Sequence, residues 1–332
     1  KGKRTKFEWD EDLNQKSRTD AREKKTSYTY DGLGNLIGVV DAKTNPASFH
    51  YESTFNKLDE EIDKENRKTV YLYDAQGSVT QITAAQGTAD AITTNYVVNG
   101  LGQRTAMVDA RGNTTTYSYE ANGNLATVLN AENETMSYFY DSLSRAVSVT
   151  DGEGHKTKNL YWDDGKLREI QYPENVTVKF EYDSHGNLSQ QTDGKNNVTM
   201  YTYDDADRLL TVTPPDGVGA MAYEYDEAGN RKTQTDANTK ATDYGYDPLN
   251  RLELVTDAMD GTTRSTYDEV GNLTTVVDPN THVTTYRYDD LNRLEFSREG
   301  TIETTFVYDK VGNKTSQIDA NGTTGFEYDN LN

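Results

Sequence analysis

The residues of this sequence that could do chemistry are its carboxylates and its few histidines. Of 332 residues, 55 are Asp or Glu and 4 are His. The histidines His50, His155, His185 and His282 lie in different parts of the chain and lack the spacing of metal ligands. No nucleotide-binding, zinc-protease or nucleophile-elbow motif occurs. We therefore predict that the chain is not an enzyme, and we assign no catalytic residue, cofactor or metal ligand.

Two acidic segments could supply oxygen ligands for calcium. Residues 10–14 and 319–322 resemble fragments of a calcium-binding loop. The bidentate glutamate that closes such a loop is absent from both. The sequence leaves calcium binding open.

Most of the acidic residues belong to a repeat that runs along the whole chain. Each copy but one places an aromatic residue just before a turn, Val98 fills that register in the exception, and successive markers are separated by about 21 residues on average. One longer interval follows Tyr73, where an insertion within residues 84–101 is expected to lengthen a loop. The marker positions are Trp9, Tyr30, Tyr51, Tyr73, Val98, Tyr119, Tyr140, Trp162, Tyr182, Tyr203, Tyr225, Tyr246, Tyr267, Tyr288, Tyr308 and Tyr328.

The residues after each marker are typical of a type I turn. An Asp at the first position can accept a hydrogen bond from the backbone two residues later, and Gly is favoured at the fourth position. The predicted structural residues of the repeat are Tyr30, Asp31, Gly34, Tyr119, Gly123, Tyr140, Asp141, Tyr182, Asp183, Gly186, Tyr203, Asp204, Tyr225, Asp226, Gly229, Tyr246, Asp247, Asn250, Tyr267, Asp268, Gly271, Tyr288, Asp289, Asn292, Tyr308, Asp309 and Gly312.

A second version of the turn alternates with the first in the later half of the chain. It has Asp207, Asn250 or Asn292 in place of the glycine, and an Arg follows each of them. Asn and Asp tolerate positive φ better than other non-glycine residues, so we predict a left-handed backbone at these positions. We also predict that the two versions are different turn types, which gives a deeper repeat of about 42 residues.

Between the turns, the residues alternate as they do in β-strands. Tyr286 and Tyr288 alternate with Thr285, Arg287 and Asp289, so the two tyrosines lie on the same face of a strand. No stretch combines helical apolar periodicity with capping residues. The predicted fold is all-β, with two short antiparallel strands in each copy and tight turns between them. We expect the tyrosines to fill a thin interior, and the alternative is that they stack on sugar rings.

The composition agrees with a thin sheet and argues against several functions. Hydrophobic residues make up 33% of the chain and the mean hydropathy is −0.90, which is low for a thick core, while 24 tyrosines argue against disorder. The net charge of −21 disfavours nucleic-acid partners and anionic membranes. There is no cysteine, and no apolar run has the length of a membrane span. Residues 1–27 follow the repeat only loosely and are expected to be the least ordered.

The repeat resembles the YD repeat of the Rhs family. Tyr-x-Tyr-Asp-x-x-Gly-Asn-Leu occurs at residues 28–36 and, with Glu120 for Asp, at 117–125, and Tyr-x-Tyr-Asp-x-x-Asn-Arg-Leu occurs at 244–252 and 286–294. This family includes bacterial Rhs polymorphic toxins, the C components of insecticidal Tc toxins, wall-associated proteins and animal teneurins. The resemblance implies a spiralling β-strip that forms part of a hollow shell. In the toxin members that shell encloses a C-terminal toxic domain.

Together, the repeat and the resemblance predict one uninterrupted array over residues 1–332, cut at both ends from a longer array. The predicted function is a non-enzymatic scaffold, a YD-repeat shell segment of a secreted or cell-surface protein. Its predicted partners are neighbouring YD repeats and a C-terminal toxin or cargo domain, without nucleic acid or membrane insertion. The alternatives are an adhesion module that binds glycans and a filament that self-associates through open strand edges.

Overall fold

The computed structural model describes residues 4–331, and in this part of the chain the only helix is a short 3-10 turn at Pro173–Asn175. Residues 1–3 and Asn332, the two ends of the predicted array, lie outside the described residues. The remaining elements are β-strands. They form two compact units: Lys1–Gly112 with Thr263–Asn332 is unit 1, and Asn113–Thr262 is unit 2. The all-β prediction is confirmed.

The strands are short, mostly of five or six residues. In unit 1 they are β1 (Lys6–Trp9), β2 (Gln15–Thr19), β3 (Lys25–Tyr30), β4 (Leu36–Val40), β5 (Pro46–Tyr51), β6 (Leu58–Ile62), β7 (Lys68–Tyr73), β8 (Val79–Ala84), β9 (Ile92–Val98), β10 (Arg104–Val108), β25 (Thr262–Tyr267), β26 (Leu273–Val277), β27 (Val283–Tyr288), β28 (Leu294–Glu299), β29 (Ile302–Tyr308), β30 (Lys314–Asp319) and β31 (Gly322–Gly325). In unit 2 they are β11 (Thr114–Tyr119), β12 (Leu125–Leu129), β13 (Thr135–Tyr140), β14 (Ala146–Thr150), β15 (Lys156–Tyr161), β16 (Leu167–Gln171), β17 (Thr177–Tyr182), β18 (Leu188–Thr192), β19 (Val198–Tyr203), β20 (Leu209–Thr213), β21 (Met221–Tyr225), β22 (Arg231–Thr235), β23 (Ala241–Tyr246) and β24 (Leu252–Thr256).

Within each unit, each strand pairs with its sequence neighbour in antiparallel fashion. The register shifts just before the marker residue: Glu181 pairs with Gln190, whereas Tyr182 pairs with Leu188. The same shift recurs one repeat later, between Thr202 and Tyr203. An extra residue of this kind is a β-bulge, which bends the strand where it enters the turn.

The two versions of the YD turn, as we call the turn that follows each marker, have the same backbone. Gly34 has φ +83° and donates its N–H to the Asp31 carbonyl at 3.1 Å. Asn250 has φ +59° and donates its N–H to the Asp247 carbonyl at 2.9 Å. The left-handed prediction is therefore confirmed, but the prediction of two turn types is wrong. Asn and Gly both adopt the left-handed conformation that this turn requires.

The marker tyrosines connect one repeat to the next. The Tyr182 hydroxyl donates to the Leu167 carbonyl at 3.0 Å, and the Tyr203 hydroxyl donates to the Leu188 carbonyl at 3.0 Å. The equivalent bond joins Tyr308 to Leu294 at 2.9 Å. These rings are half-buried and their hydroxyls are satisfied, as expected for a thin interior made of tyrosine.

The insertion lengthens a turn, as predicted. It falls between β8 and β9, where residues 85–91 form a longer connection than the five-residue turns at 20–24, 41–45 and 63–67. Near the N-terminus, β1 and β2 pair in antiparallel fashion with the same register shift, here between Glu8 and Trp9. The repeat therefore already holds at residue 6, although the sequence follows it loosely there.

One turn allows a matched test of the left-handed position. Gly32 and Gly34 lie in the same turn, but only Gly34 has a positive φ, and an added Cβ would clash with nothing at either site. We expect Gly34→Ala to lower the free energy of unfolding by about 1 kcal/mol because of backbone strain alone. Gly32→Ala should be neutral. Urea unfolding followed by circular dichroism measures both, and an equal effect of the two substitutions would contradict the assignment.

Candidate functional site

Each strip of repeats has two rows of turns. The YD turns lie along one edge, and the turns that lead from one repeat to the next, which we call return turns, lie along the other. In both rows an aspartate closes the bend. The Asp31 carboxylate accepts the backbone N–H groups of Leu33 and Asn35 at 2.9 Å each, and the Asp41 carboxylate accepts those of Lys43 and Asn45. The predicted aspartates are therefore structural acceptors.

Side chains join neighbouring YD turns into a ladder. In the glycine version, the Asn187 amide donates to Asp183 in its own turn and to Asp207 in the next, the latter at 2.7 Å. In the other version, Arg208 donates to Asp204 at 2.7 Å and lies 4.8 Å from the ring of Tyr225. The paired repeat of about 42 residues therefore arises from the side chains, because an Asn amide and an Arg guanidinium alternate between successive YD turns.

In unit 1, return turns from the start of the chain meet YD turns from its end. We call this contact the turn seam, formed by return turns 20–24, 41–45, 63–67 and 85–91 with YD turns 268–272, 289–293, 309–313 and 329–331. Its central side chain is Arg22. The guanidinium donates to the Asp289 carbonyl at 2.7 Å, to the Asn292 side chain at 2.6 Å and to the Tyr288 carbonyl at 3.3 Å. One arginine thus satisfies several acceptors of a turn that lies 266 or more residues away in sequence.

Asp289 is the electrostatic centre of the seam. Its side chain is 4% exposed, and it accepts hydrogen bonds from Lys43 and from Arg293, both at 2.8 Å. Burial raises the pKa of the Asp289 carboxyl, but these bonds, with those from the backbone, outweigh it and lower the pKa from 3.8 to about 2. A buried carboxylate is stable only when it is paired in this way.

The contacts of the seam advance in order along both edges. The Glu65 carboxylate accepts the backbone N–H of Lys310 at 2.8 Å, two return turns after Arg22. The Asp90 carboxylate accepts the side-chain amide of Asn330 at 2.6 Å, one return turn later. The few buried residues of the described chain include Asp20, Ala21, Asp41 and Asp289, all at the seam. Burial in unit 1 is therefore concentrated in and beside the turns of the seam.

Among residues 4–331, no group of three His, Cys, Asp or Glu side chains could hold a metal ion. The Asp10 carboxylate of one calcium-like segment accepts the N–H groups of Asp12 and Asn14, which is an ordinary turn. No helix in the described chain has the length and apolar character needed to cross a membrane.

Sequence reasoning found the YD turns but missed the cations that dock on them. Asp268, Tyr288, Asp289 and Asn292, which were predicted as repeat positions, all contact Arg22 across the seam. The other predicted residues lie in their own turns and strands. Arg22 and Lys43 were missed, although both stand third in an Asp-Ala-x return turn. That shared position was the available signal.

The comparisons with known proteins agree with this geometry. A family model described as the teneurin YD-shell matches residues 6–172, 95–192 and 169–329. The chain therefore belongs to the teneurin YD-shell family. No curated protein sequence matches it.

Among solved structures, the crystal structure of TcdB2-TccC3-TEV is 16% identical, with a TM-score of 0.83 over 99% of this chain and 21% of that one. The crystal structure of TcdB2-TccC3 is also 16% identical, with a TM-score of 0.48 over 96% of this chain and 24% of that one. The Photorhabdus luminescens Tc holotoxin pore is 17% identical, with a TM-score of 0.39 over 91% of this chain and 22% of that one. This chain thus spans between a fifth and a quarter of these solved chains, and the likeness to the first shows the fold.

Removal of the Arg22 side chain should open the seam. Arg22→Ala leaves the carbonyls of Tyr288 and Asp289 without their charged donor. We therefore expect the free energy of unfolding to fall by about 2 kcal/mol. Hydrogen exchange of residues 288–293 should accelerate accordingly. Arg18→Ala is the control because Arg18 is exposed on the neighbouring strand. Equal exchange in the two variants would contradict a stabilising role for Arg22.

The seam should also be sensitive to acid. The pKa of Asp289 is lower in the folded than in the unfolded protein. Its contribution to the free energy of unfolding is therefore present above pH 4 and is lost as the pH falls towards 2. That contribution is on the order of 2 kcal/mol. Asp289→Asn should flatten the stability profile between pH 4 and pH 2, whereas substitution of the exposed Asp12 by Asn should not. Thermal unfolding across this range provides the measurement.

Proposed function

We propose that this chain is a non-enzymatic segment of a β-shell wall, which acts by enclosing a toxin or other cargo domain. The family assignment supports a YD-repeat shell segment, and the turn seam is the observation that carries the proposal. A strip whose opposite edges bind each other makes a continuous surface, whereas an isolated strip leaves both edges open to solvent. The mechanism is steric, because a wall keeps a partly unfolded cargo away from proteases and other chains.

The chemistry of the seam suits this role. Its contacts are charge-assisted hydrogen bonds from Arg22, Lys24 and Lys43 to turns that carry aspartates, and Lys24 meets Asp290 at 2.7 Å. Such bonds fix the register between two edges more strictly than apolar contact does. A wall built in this way holds its alignment without a thick hydrophobic core. In this proposal the shell belongs to a secreted or cell-surface protein, as in the Rhs proteins that the sequence resembles.

The glycan-binding alternative receives less support. It requires tyrosine rings in exposed ladders, but the marker rings are half-buried and donate their hydroxyls to the carbonyls of the preceding repeat.

Protease protection tests the enclosure. In the full-length gene product that contains this chain, reversal of the seam charges by Arg22→Glu with Lys43→Glu should open the wall. We expect the cargo region to be cleaved about tenfold faster, in line with the loss of more than one charge-assisted bond. Lys16→Glu with Arg18→Glu makes the same charge change on exposed residues and should leave protection intact. Equal cleavage in both variants, or a particle without a lumen in electron microscopy, would refute enclosure.

A further inference from the structure

The return turn at residues 109–113 has the same construction as the docking turn that carries Arg22. Asp20-Ala21-Arg22 and Asp109-Ala110-Arg111 are identical in sequence. In both turns the arginine N–H donates to the aspartate carboxylate at 2.9 Å. The fourth residue is left-handed in both, with φ +66° at Glu23 and +84° at Gly112. Turns with the same backbone present their third side chain in the same relation to the strip.

The two arginines differ in what they contact. The Arg22 side chain is 17% exposed and is held by acceptors of a YD turn. Arg111 is exposed, and between residues 4 and 331 its guanidinium makes no ion pair and no hydrogen bond. Arg111 therefore has the geometry of a docking side chain without a docked turn.

The order of contacts along the seam specifies which turn would reach it. The YD turn at 289–293 meets return turns 20–24 and 41–45, the turn at 309–313 meets 63–67, and the turn at 329–331 meets 85–91. The next return turn along that edge is 109–113. One more YD turn, placed one repeat beyond Asp329, would arrive at Arg111.

We propose that Arg111 is the docking residue for one further YD turn that continues the same strip. The partner is an aspartate-started turn with Asn or Gly at its fourth position, and its carbonyl and side-chain oxygens would accept the Arg111 guanidinium as those of residues 288–292 accept Arg22. The proposal commits to a covalently continuous partner because the seam advances one repeat at a time along both edges. The net charge of −21 also disfavours a second copy of the chain as the partner. This inference rests on the proposed wall function.

A one-repeat extension tests the proposal. The last residues, Tyr-Asp-Asn-Leu-Asn, match Tyr-Asp-Asp-Leu-Asn at 288–292, so a copy of residues 293–313 attached after Asn332 continues the pattern and ends in a YD turn. We expect this extension to slow hydrogen exchange of residues 109–113 by about tenfold, the value for one charge-assisted contact. Arg111→Ala should abolish the slowing, and Arg111→Lys should retain part of it, because Lys43 shows that a lysine also docks on a YD turn.

The controls separate docking from general stabilisation. Lys195 also stands third in an Asp-started return turn, but in unit 2, and Lys195→Ala should leave the slowing intact. Arg111→Ala in the chain without the extension should change neither exchange nor unfolding. The inference is overturned if the extension leaves exchange of 109–113 unchanged, or slows it equally in Arg111→Ala. Slowing that depends on protein concentration would identify a second copy as the partner and would also overturn it.

The outcome is distinguishable from that of the enclosure test. The protease experiment changes Arg22 and Lys43 and does not involve Arg111. If the cargo region is protected but Arg111→Ala in the extended chain has no effect on the exchange of residues 109–113, only the docking inference is refuted. A docked Arg111 with an unprotected cargo region would refute only enclosure.

Discussion

The structure depends on one interaction, the aspartate carboxylate that accepts two backbone N–H groups inside a tight turn. This bond fixes the bend after most of the strands, and the bend sets the register of the next pair. Because the strands within residues 4–331 are short and few of these residues are buried, this part of the chain has no large apolar core that could correct a misplaced turn. Hydrogen bonds between turns, and from tyrosine hydroxyls to the previous repeat, take the place that packing has in a globular domain.

This constraint explains the acidic composition. A chain with 55 acidic and 34 basic residues would ordinarily repel itself on compaction. Here many of the carboxylates accept hydrogen bonds in their own turns, and the cations of the seam and of the YD ladder pair with several of them. The charged side chains of this protein therefore align the two edges of the seam. Without them, a flat polar edge could shift its register by one repeat.

The same logic shows why part of the sequence interpretation was wrong. Glycine and asparagine at the fourth position suggested two turn types, yet Gly271 and Asn292 both have positive φ and the same backbone hydrogen bond. The residue type indicates only which backbone conformations are allowed, and both glycine and asparagine allow the left-handed conformation. What alternates is the following side chain. Asn272 reaches the next turn at Asn292, whereas Arg293 reaches the carbonyl of Asp309.

The sequence alone determined everything that repeats: strand length, turn position, the left-handed residue and the tyrosine face. Each of these features depends on interactions within about one repeat. The same residue pattern therefore recurs in many copies and can be recognised from the sequence. The seam was decided only by the tertiary structure. Arg22 and Asp289 meet at the seam, and they are 267 residues apart in sequence. No periodic signal encodes such a pair, because its two members belong to different repeats that become neighbours only in the folded chain.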